Sequence, residues 1–325
     1  MPEYQLPPIS FSRLRFHLIA LENCTLPSWK GSLLRGAFGH ALRRTVCTMK
    51  KGQPCEDCML RAQCAYTRLF ETSVTGTPPR FLRGLKSSPR PFIFEPFDTN
   101  KTYQQRDTLY FDLILIGKAA EFLPYVVFAI YQVAQTGLGV NRHKFLLNAA
   151  YCTQNEVENP DKWRLLYEGE TQRMLFNPGS LELKNSSNLS GAPYSVKLKF
   201  LTQTRLKFKN KLGMDFTFRM LVFKMLRRVL ELAYFYASET DINWEFHDLL
   251  AAADDVKITR RNLTWEDQGR YSNRQKTKMQ MGGFVGDITL SGDLAPFMDL
   301  LKYCEVLHVG KGATFGLGRI KLLKS

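Results

Sequence analysis

Two stretches decide how this chain is read: "GLGVNRHKFLL" at residues 137–147 and "GLGRIKLL" at residues 316–323. Each is a Gly-Leu-Gly turn that feeds a basic and apolar segment, and each lies beyond a helical pattern. The same device at the same point of two element series predicts a duplicated unit. Working back from the first copy, "AEFLPYVVFAIYQVAQT" (120–136) has helical periodicity, and "PFIFEPF" (91–97) and "TLYFDLILIG" (108–117) are strand-like. Before them, "WKGSLLRGAFGHALRRTV" (29–46) puts Leu34, Ala37, Phe38, Ala41 and Thr45 on one helical face, and "SRLRFHLIAL" (12–21) alternates like a strand. Working back from the second copy, "DLAPFMDLLKYCEVL" (293–307) is a helix and two strands flank "RYSNRQKTKMQ" (270–280). They are preceded by a helix at 214–238, with a further helical piece at 246–253, and by the strand "SVKLKFLTQTRLKF" (195–208).

Each series is β-α-β-β-α-β. That order predicts an α+β protein of two tandem ferredoxin-like, RRM-like domains, an arrangement shared by many RNA-binding modules. The stretch "NPGSLELKNSSNLSGAPYS" (177–195) is rich in Asn, Ser, Gly and Pro and reads as the linker. The first domain is therefore expected over 1–185, with a cysteine-rich insertion at 47–64. The second is expected over 194–325, with a basic hairpin and a C-terminal glycine-rich loop.

Lys and Arg number 45 against 30 Asp and Glu in 325 residues, a formal charge of +15 that favours a polyanionic partner. A membrane is the weaker choice. The longest apolar stretch, "FLPYVVFAIYQVA" (122–134), is interrupted by Pro124 and Gln132 and is too short to span a bilayer. The N-terminus has no charged region followed by an apolar one, so a cytoplasmic protein with reduced cysteines is expected.

Around the second Gly-Leu-Gly the chain reads "HVGKGATFGLGRIKLLKS" (308–325), with Gly310, Gly312, Gly316 and Gly318 bracketed by Lys311 and Arg319. A nucleotide-binding glycine loop follows a strand and opens a helix. Here a short strand follows instead, which leaves a turn before the last strand or a loop whose N–H groups face a sugar-phosphate chain. Phe315 either stacks on a base or anchors the loop. In the hairpin, Arg270, Arg274, Lys276 and Lys278 interleave with Tyr271, Ser272, Asn273 and Gln275, the mixture of charge and one stacking ring that RNA requires. Lys197, Lys199, Arg205, Lys207, Lys209 and Lys211 form a third basic run, with no acidic residue between 197 and 211. One such run is ordinarily a solvated face; three in one half of a basic protein point to RNA.

The segments "LLRGAFGHALRR" (33–44), "RYSNRQKTKMQMGGFVGDI" (270–288) and "LHVGKGATFGLGRIKL" (307–322) resemble the CRISPR-associated repeat-processing endoribonucleases of the RAMP superfamily. The resemblance spans nearly the whole chain. It implies an enzyme that cuts precursor CRISPR RNA within each repeat without a catalytic metal, leaving 2′,3′-cyclic phosphate and 5′-hydroxyl ends. It implies CRISPR repeat RNA as partner, other CRISPR effector subunits as further partners, and RNA contact by the glycine loop. Two other readings stand beside it: a non-catalytic RAMP subunit that holds guide RNA, and a zinc-bearing RNA-binding protein outside CRISPR.

Metal-independent cleavage needs a general base for the 2′-hydroxyl, a general acid for the leaving 5′-oxygen and a cation for the developing charge. Histidine suits this at neutral pH, and the chain has five. His17 sits in a strand, His247 opens a helix without cationic company, and His143 and His308 each neighbour a glycine turn. His40 falls off the apolar face of its helix, one turn before Arg44 and near Arg43, cations expected to lower its pKa. The resemblance also implies a catalytic histidine on this first helix. The tyrosine and lysine that accompany it in some members have no clear equivalents: Trp29 and Lys30 stand near the tyrosine's place, Lys50 and Lys51 lie beyond the helix, and the cation's identity is open.

Cys47, Cys55, Cys58 and Cys64 form a C-x7-C-x2-C-x5-C pattern that holds four of the seven cysteines. In a reducing compartment this argues for a structural zinc, with an iron–sulfur cluster or unligated thiols as the other readings. His40 and Cys47 are seven residues apart on a helix, roughly 10 Å, too far to share a metal. Cys24, Cys152 and Cys304 lie in apolar contexts and belong to the core.

Overall fold

The computed structural model describes residues 4–49, 53–74, 77–85, 87–153, 163–186, 194–208, 211–237, 241–267, 269–272 and 277–324, without the side chains of 269–272, 277–280 and 324. It divides into two units. One comprises Ile9–Leu183 and Phe235–Ser238; the other comprises Met1–Pro8, Lys184–Tyr234 and Glu239–Ser325. The change of unit at Leu183 lies inside the expected linker, but the segment ending at Pro8 clusters with the second unit rather than the first. Its anchors there are Tyr4, whose hydroxyl donates to the Asn243 carbonyl at 2.6 Å, and Leu6, whose N–H donates to Asn185 Oδ1 at 3.0 Å.

The first unit runs β1 (Ile9–Ala20), α1 (Gly31–Val46), β2 (Phe92–Pro96), β3 (Thr108–Ile116), α2 (Leu123–Thr136) and β4 (Phe145–Thr153). Its sheet is ordered β2-β3-β1-β4 with antiparallel neighbours, the ferredoxin-like order. Period-2 alternation sets the faces of β1. Leu14, Phe16, Leu18 and Ala20 join the core beneath the helices, while Arg13, Arg15 and His17 take the other face. The helices contribute Leu34, Phe38, Ala41 and Leu42 from α1 and Val126, Ile130 and Val133 from α2. The Phe38 ring meets those of Phe92 and Phe94, each at 5.5 Å, which fixes α1 over β2. Beyond the expected elements, β5 (Trp163–Glu168) pairs with β4 and widens the sheet. Leu181–Leu183, inside the expected linker, pairs with the start of β1.

The second unit runs β6 (Ser195–Thr204), α3 (Phe218–Tyr236), β7 (Lys257–Glu266), β8 (Gly283–Ser291), α4 (Met298–Leu307) and β9 (Ile320–Lys324). Its order, β7-β8-β6-β9, repeats that of the first sheet. Strand β6 stops short of 208 because Lys207–Phe208 turns into a small hairpin with Lys211–Leu212. Between β7 and β8, Gly269–Ser272 pairs with Thr277–Gln280, in the register Arg270↔Met279 and Tyr271↔Lys278.

The two Gly-Leu-Gly turns are built alike. Gly137, Gly139, Gly316 and Gly318 all take positive φ (94°, 81°, 84° and 73°), and the intervening Leu138 and Leu317 are fully buried. The first caps α2 directly. The second follows α4 only after the loop from His308 and a 3-10 turn at Ala313–Phe315.

Candidate functional site

Helix α1 is anchored at its start by Lys30, which is fully buried. Its Nζ donates to Asp98 Oδ1 at 2.8 Å and to the Asn100 carbonyl at 2.7 Å, while Tyr103 donates to the same Asp98 oxygen at 2.8 Å. A lysine so enclosed holds the helix N-terminus and cannot be the cation beside a reacting phosphate. Lys50 and Lys51 lie outside the described residues.

His40 is exposed on α1. The neighbouring arginines, expected to act on its imidazole, are turned to other partners. Arg43 donates to the Gln53 carbonyl at 3.1 Å and lies 5.7 Å from the Tyr66 ring. Arg44 donates to Thr136 Oγ1 on α2 at 2.6 Å and is otherwise exposed. A guanidinium has five N–H donors, so Arg44 retains capacity for an anion while tied to α2. Two walls thus flank an open strip of helix. One is Phe70 with Arg35 stacked on it at 4.5 Å; the other is the Arg44–Thr136 bridge.

The remaining histidines have structural settings. His308 is fully buried with φ +56°, and its Nδ1 lies 3.0 Å from the Leu317 carbonyl, so it holds the second glycine turn closed. His143 Nδ1 lies 3.2 Å from Glu22 Oε1. His17 packs between Tyr110 and Tyr151 at 4.5 and 4.7 Å, and burial, with help from Arg15, lowers its pKa. His247 is exposed, 3.7 Å from Glu245.

Cys47, Cys55, Cys58 and Cys64 line a single cavity of about 390 Å³ together with Phe122 and Tyr125. Burial raises the Cys55 thiol; Arg43 opposes that, while Glu71, Cys47 and Cys64 add to it. The thiols therefore feel one another, yet among the described residues no three His, Cys, Asp or Glu side chains form a group that could hold a metal ion. The four thiols line one cavity wall, with the Arg43 guanidinium hydrogen-bonded to Cys47 among them. Cys24, Cys152 and Cys304 are buried.

The glycine-rich loop corrects a second expectation. The N–H groups of Lys311, Phe315, Gly316 and Gly318 are not presented to a ligand. They donate to the carbonyls of Arg205, Gly312, Ala313 and Gln203. Gly316 and Gly318 are buried, and a Cβ on Gly318 would run into the Val309 carbonyl, so these glycines shape the loop rather than offer backbone to a partner. Gly310 and Gly312 are half-buried, each with φ near +90° (87° and 88°), and a Cβ at Gly310 would press on the Arg205 carbonyl at 2.7 Å. The charge survives this correction. Lys311 is exposed at the loop tip, and Arg319 is half-buried below it.

Lys224 and Arg227 on α3 extend that basic surface, and neither belonged to the sequence-based site. Burial lowers the Lys224 pKa first, Arg227 and Lys311 lower it further and Glu231 opposes them; Arg227 Nε donates to Glu231 Oε1 at 2.7 Å. The signal lay in "FKMLRRVL", where both residues fall off the face of buried Leu221, Val222, Met225, Leu226 and Val229. Arg205 borders the loop, and burial lowers its pKa. Arg274, Lys276 and Lys209 lie outside the described residues. Arg270, Tyr271 and Lys278 are placed by strand register alone.

Comparison with known proteins gives two family matches. Residues 6–179 match the model AF_1859_N, described as an N-terminal domain, and residues 198–320 match the model described as CRISPR-associated endoribonuclease Cas6. An uncharacterized protein of Archaeoglobus fulgidus is 22% identical over 304 residues, covering 91% of this chain and 92% of its own. Among solved structures, the Thermus thermophilus Cas6 TTHB231 in a product complex matches with a TM-score of 0.53 at 16% identity, over 97% of this chain and 99% of that one. A partial Cas6-RT-Cas1–Cas2 complex matches with a TM-score of 0.54 at 13% identity, over all of this chain (100%) and 47% of that one. At such identities the structural likeness concerns the fold. Among the described residues, no helix is long and apolar enough to cross a membrane.

Proposed function

We propose, from the match of residues 198–320 to the CRISPR-associated endoribonuclease Cas6 model, that this chain is a Cas6-type endoribonuclease that cuts precursor CRISPR RNA within each repeat, with His40 as the catalytic histidine and no catalytic metal. The observation that carries the reading is the setting of His40: exposed, on an open strip of α1, in a stretch with no acidic residue between Glu22 and Glu56. A carboxylate-poor, cation-rich surface suits an RNA strand and does not suit two-metal hydrolysis, which needs clustered carboxylates.

In the proposed step the imidazole of His40 accepts the proton of a ribose 2′-hydroxyl. The 2′-oxygen attacks the adjacent phosphorus, and the bond to the 5′-oxygen breaks as that oxygen takes a proton from solvent water, whose hydroxide is neutralised by the proton His40 gives back. The products are a 2′,3′-cyclic phosphate and a 5′-hydroxyl. Arg44, one helical turn from His40, is the proposed cation for the negative charge that develops on the non-bridging phosphate oxygens.

Lys311, Arg319, Lys224 and Arg227, together with the hairpin carrying Arg270, Tyr271, Arg274, Lys276 and Lys278, form the proposed path for the rest of the repeat. Lys311→Ala is expected to weaken binding and to flatten its salt dependence by a slope of about 0.7, the value for one lost phosphate contact on a single strand. Titration of labelled repeat RNA at several salt concentrations reads both, and an unchanged slope would remove Lys311 from the path. The relatives solved in a product complex and with Cas1–Cas2 support CRISPR RNA, and further CRISPR proteins, as partners.

The cysteine segment has a structural part in this reading. A metal held by these four thiols would couple its binding to local folding of the segment. The expected content is about one zinc per chain, or an iron–sulfur chromophore after anaerobic purification. Metal analysis of wild type and of Cys55→Ser/Cys58→Ser decides it. Two metal-free preparations of equal stability would leave these residues as ordinary thiols.

A further inference from the structure

Helix α1 has two interior glycines after its first turn, and only one of them is explained by the fold. Gly39 is buried, and a Cβ there would collide with the Phe70 ring. Gly36 has helical backbone, and a Cβ built on it meets no heavy atom within 4 Å. Neither a positive φ nor internal packing calls for glycine at 36, while glycine inside a helix is less stable than alanine. The helix therefore gives up stability at 36 for nothing that the protein itself supplies.

Gly36 stands four residues before His40, so the two share one face a single turn apart. The strip they define is bordered by Arg35 stacked on Phe70 and by Arg44 bridged to Thr136, with Arg43 at its end. Cations surround it, and a bare backbone lies at its floor. The occupant that matches both features is anionic and must approach the helix closely, as a sugar-phosphate chain does.

We infer that Gly36 is a positioning residue: it lets the RNA strand lie flat on α1, so that the ribose at the cut reaches His40. This rests on the assignment of His40 made above and adds how the strand is seated there. A side chain at 36 would lift the strand away from the helix, and a misplacement of about 1 Å is enough to cost on the order of 10²-fold in rate.

The experiment compares wild type, Gly36→Ala, Gly36→Leu and His40→Ala in thermal melting, in repeat-RNA binding and in single-turnover cleavage at saturating protein. Gly36→Ala is expected to melt a few degrees above wild type, yet to cleave about tenfold more slowly. Gly36→Leu is expected to lose about 10²-fold, with most of the loss remaining at saturation. A glycine with a purely structural role would move stability and activity in the same direction, so the crossed signs are the diagnostic. Wild-type cleavage by Gly36→Leu overturns the inference. His40→Ala is read separately. If it alone is normal while Gly36→Leu is slow, close approach at Gly36 stands and the base lies elsewhere.

Discussion

His40→Ala will bind repeat RNA nearly as tightly as wild type and cut it slower by about 10²–10⁴-fold under single-turnover conditions. His40 is exposed, so its removal leaves neither a cavity nor an unpaired buried group, and the fold should tolerate the change. The rate loss corresponds to roughly 3–5 kcal/mol of transition-state stabilisation, the scale of losing one general base. The control histidines behave differently for stated reasons. His308→Ala removes the donor that holds Leu317 and should loosen the glycine-rich loop, weakening binding and stability together. His143→Ala removes a contact to Glu22 and should leave the rate unchanged. If His143→Ala were slow and His40→Ala normal, the base would have been placed on the wrong element.

The second large effect lies on the substrate. A single 2′-deoxy substitution at the cleaved nucleotide should abolish cleavage in the presence of EDTA and leave binding intact. The 2′-oxygen is the nucleophile in the proposed step, and no other atom of the strand can close the five-membered cyclic phosphate. Binding survives because phosphate charge and base stacking, which dominate affinity on such a surface, are untouched. Continued cutting of the deoxy substrate would mean that water attacks instead, and the role given to His40 would then have to change.

Much of the fold is legible in the residues. Period-2 alternation in "SRLRFHLIAL" and the apolar face of "LLRGAFGHALRR" both survive in the structure, as β1 and α1. The repeated Gly-Leu-Gly correctly marks two copies, because both turns need left-handed glycines around a buried leucine. Strand β5 is harder to see, since "WRLLYE" is fixed by pairing with β4 on one side and with Arg173–Met174 on the other. The site is less legible than the fold. Nothing in the sequence marks Lys30 as a buried anchor, because its partners, Asp98 and the Asn100 carbonyl, lie some seventy residues away. The terminal loop reads as a turn or as a phosphate cradle, and only the carbonyls of Gln203 on β6 and of Arg205 just beyond it show where the Gly318 and Lys311 N–H groups go. Spacing groups the four cysteines, yet it carries no information on whether their sulfurs converge. Gly36 is invisible to pattern reading, because its meaning depends on what its missing Cβ would have touched.

The most direct test is end-group analysis of the RNA after incubation with purified protein in EDTA. One cut per repeat is expected, with a 2′,3′-cyclic phosphate on the upstream fragment and a 5′-hydroxyl on the downstream one. Repeat RNA that is bound but stays intact, or fragments ending in 3′-hydroxyl and 5′-phosphate, would contradict the account.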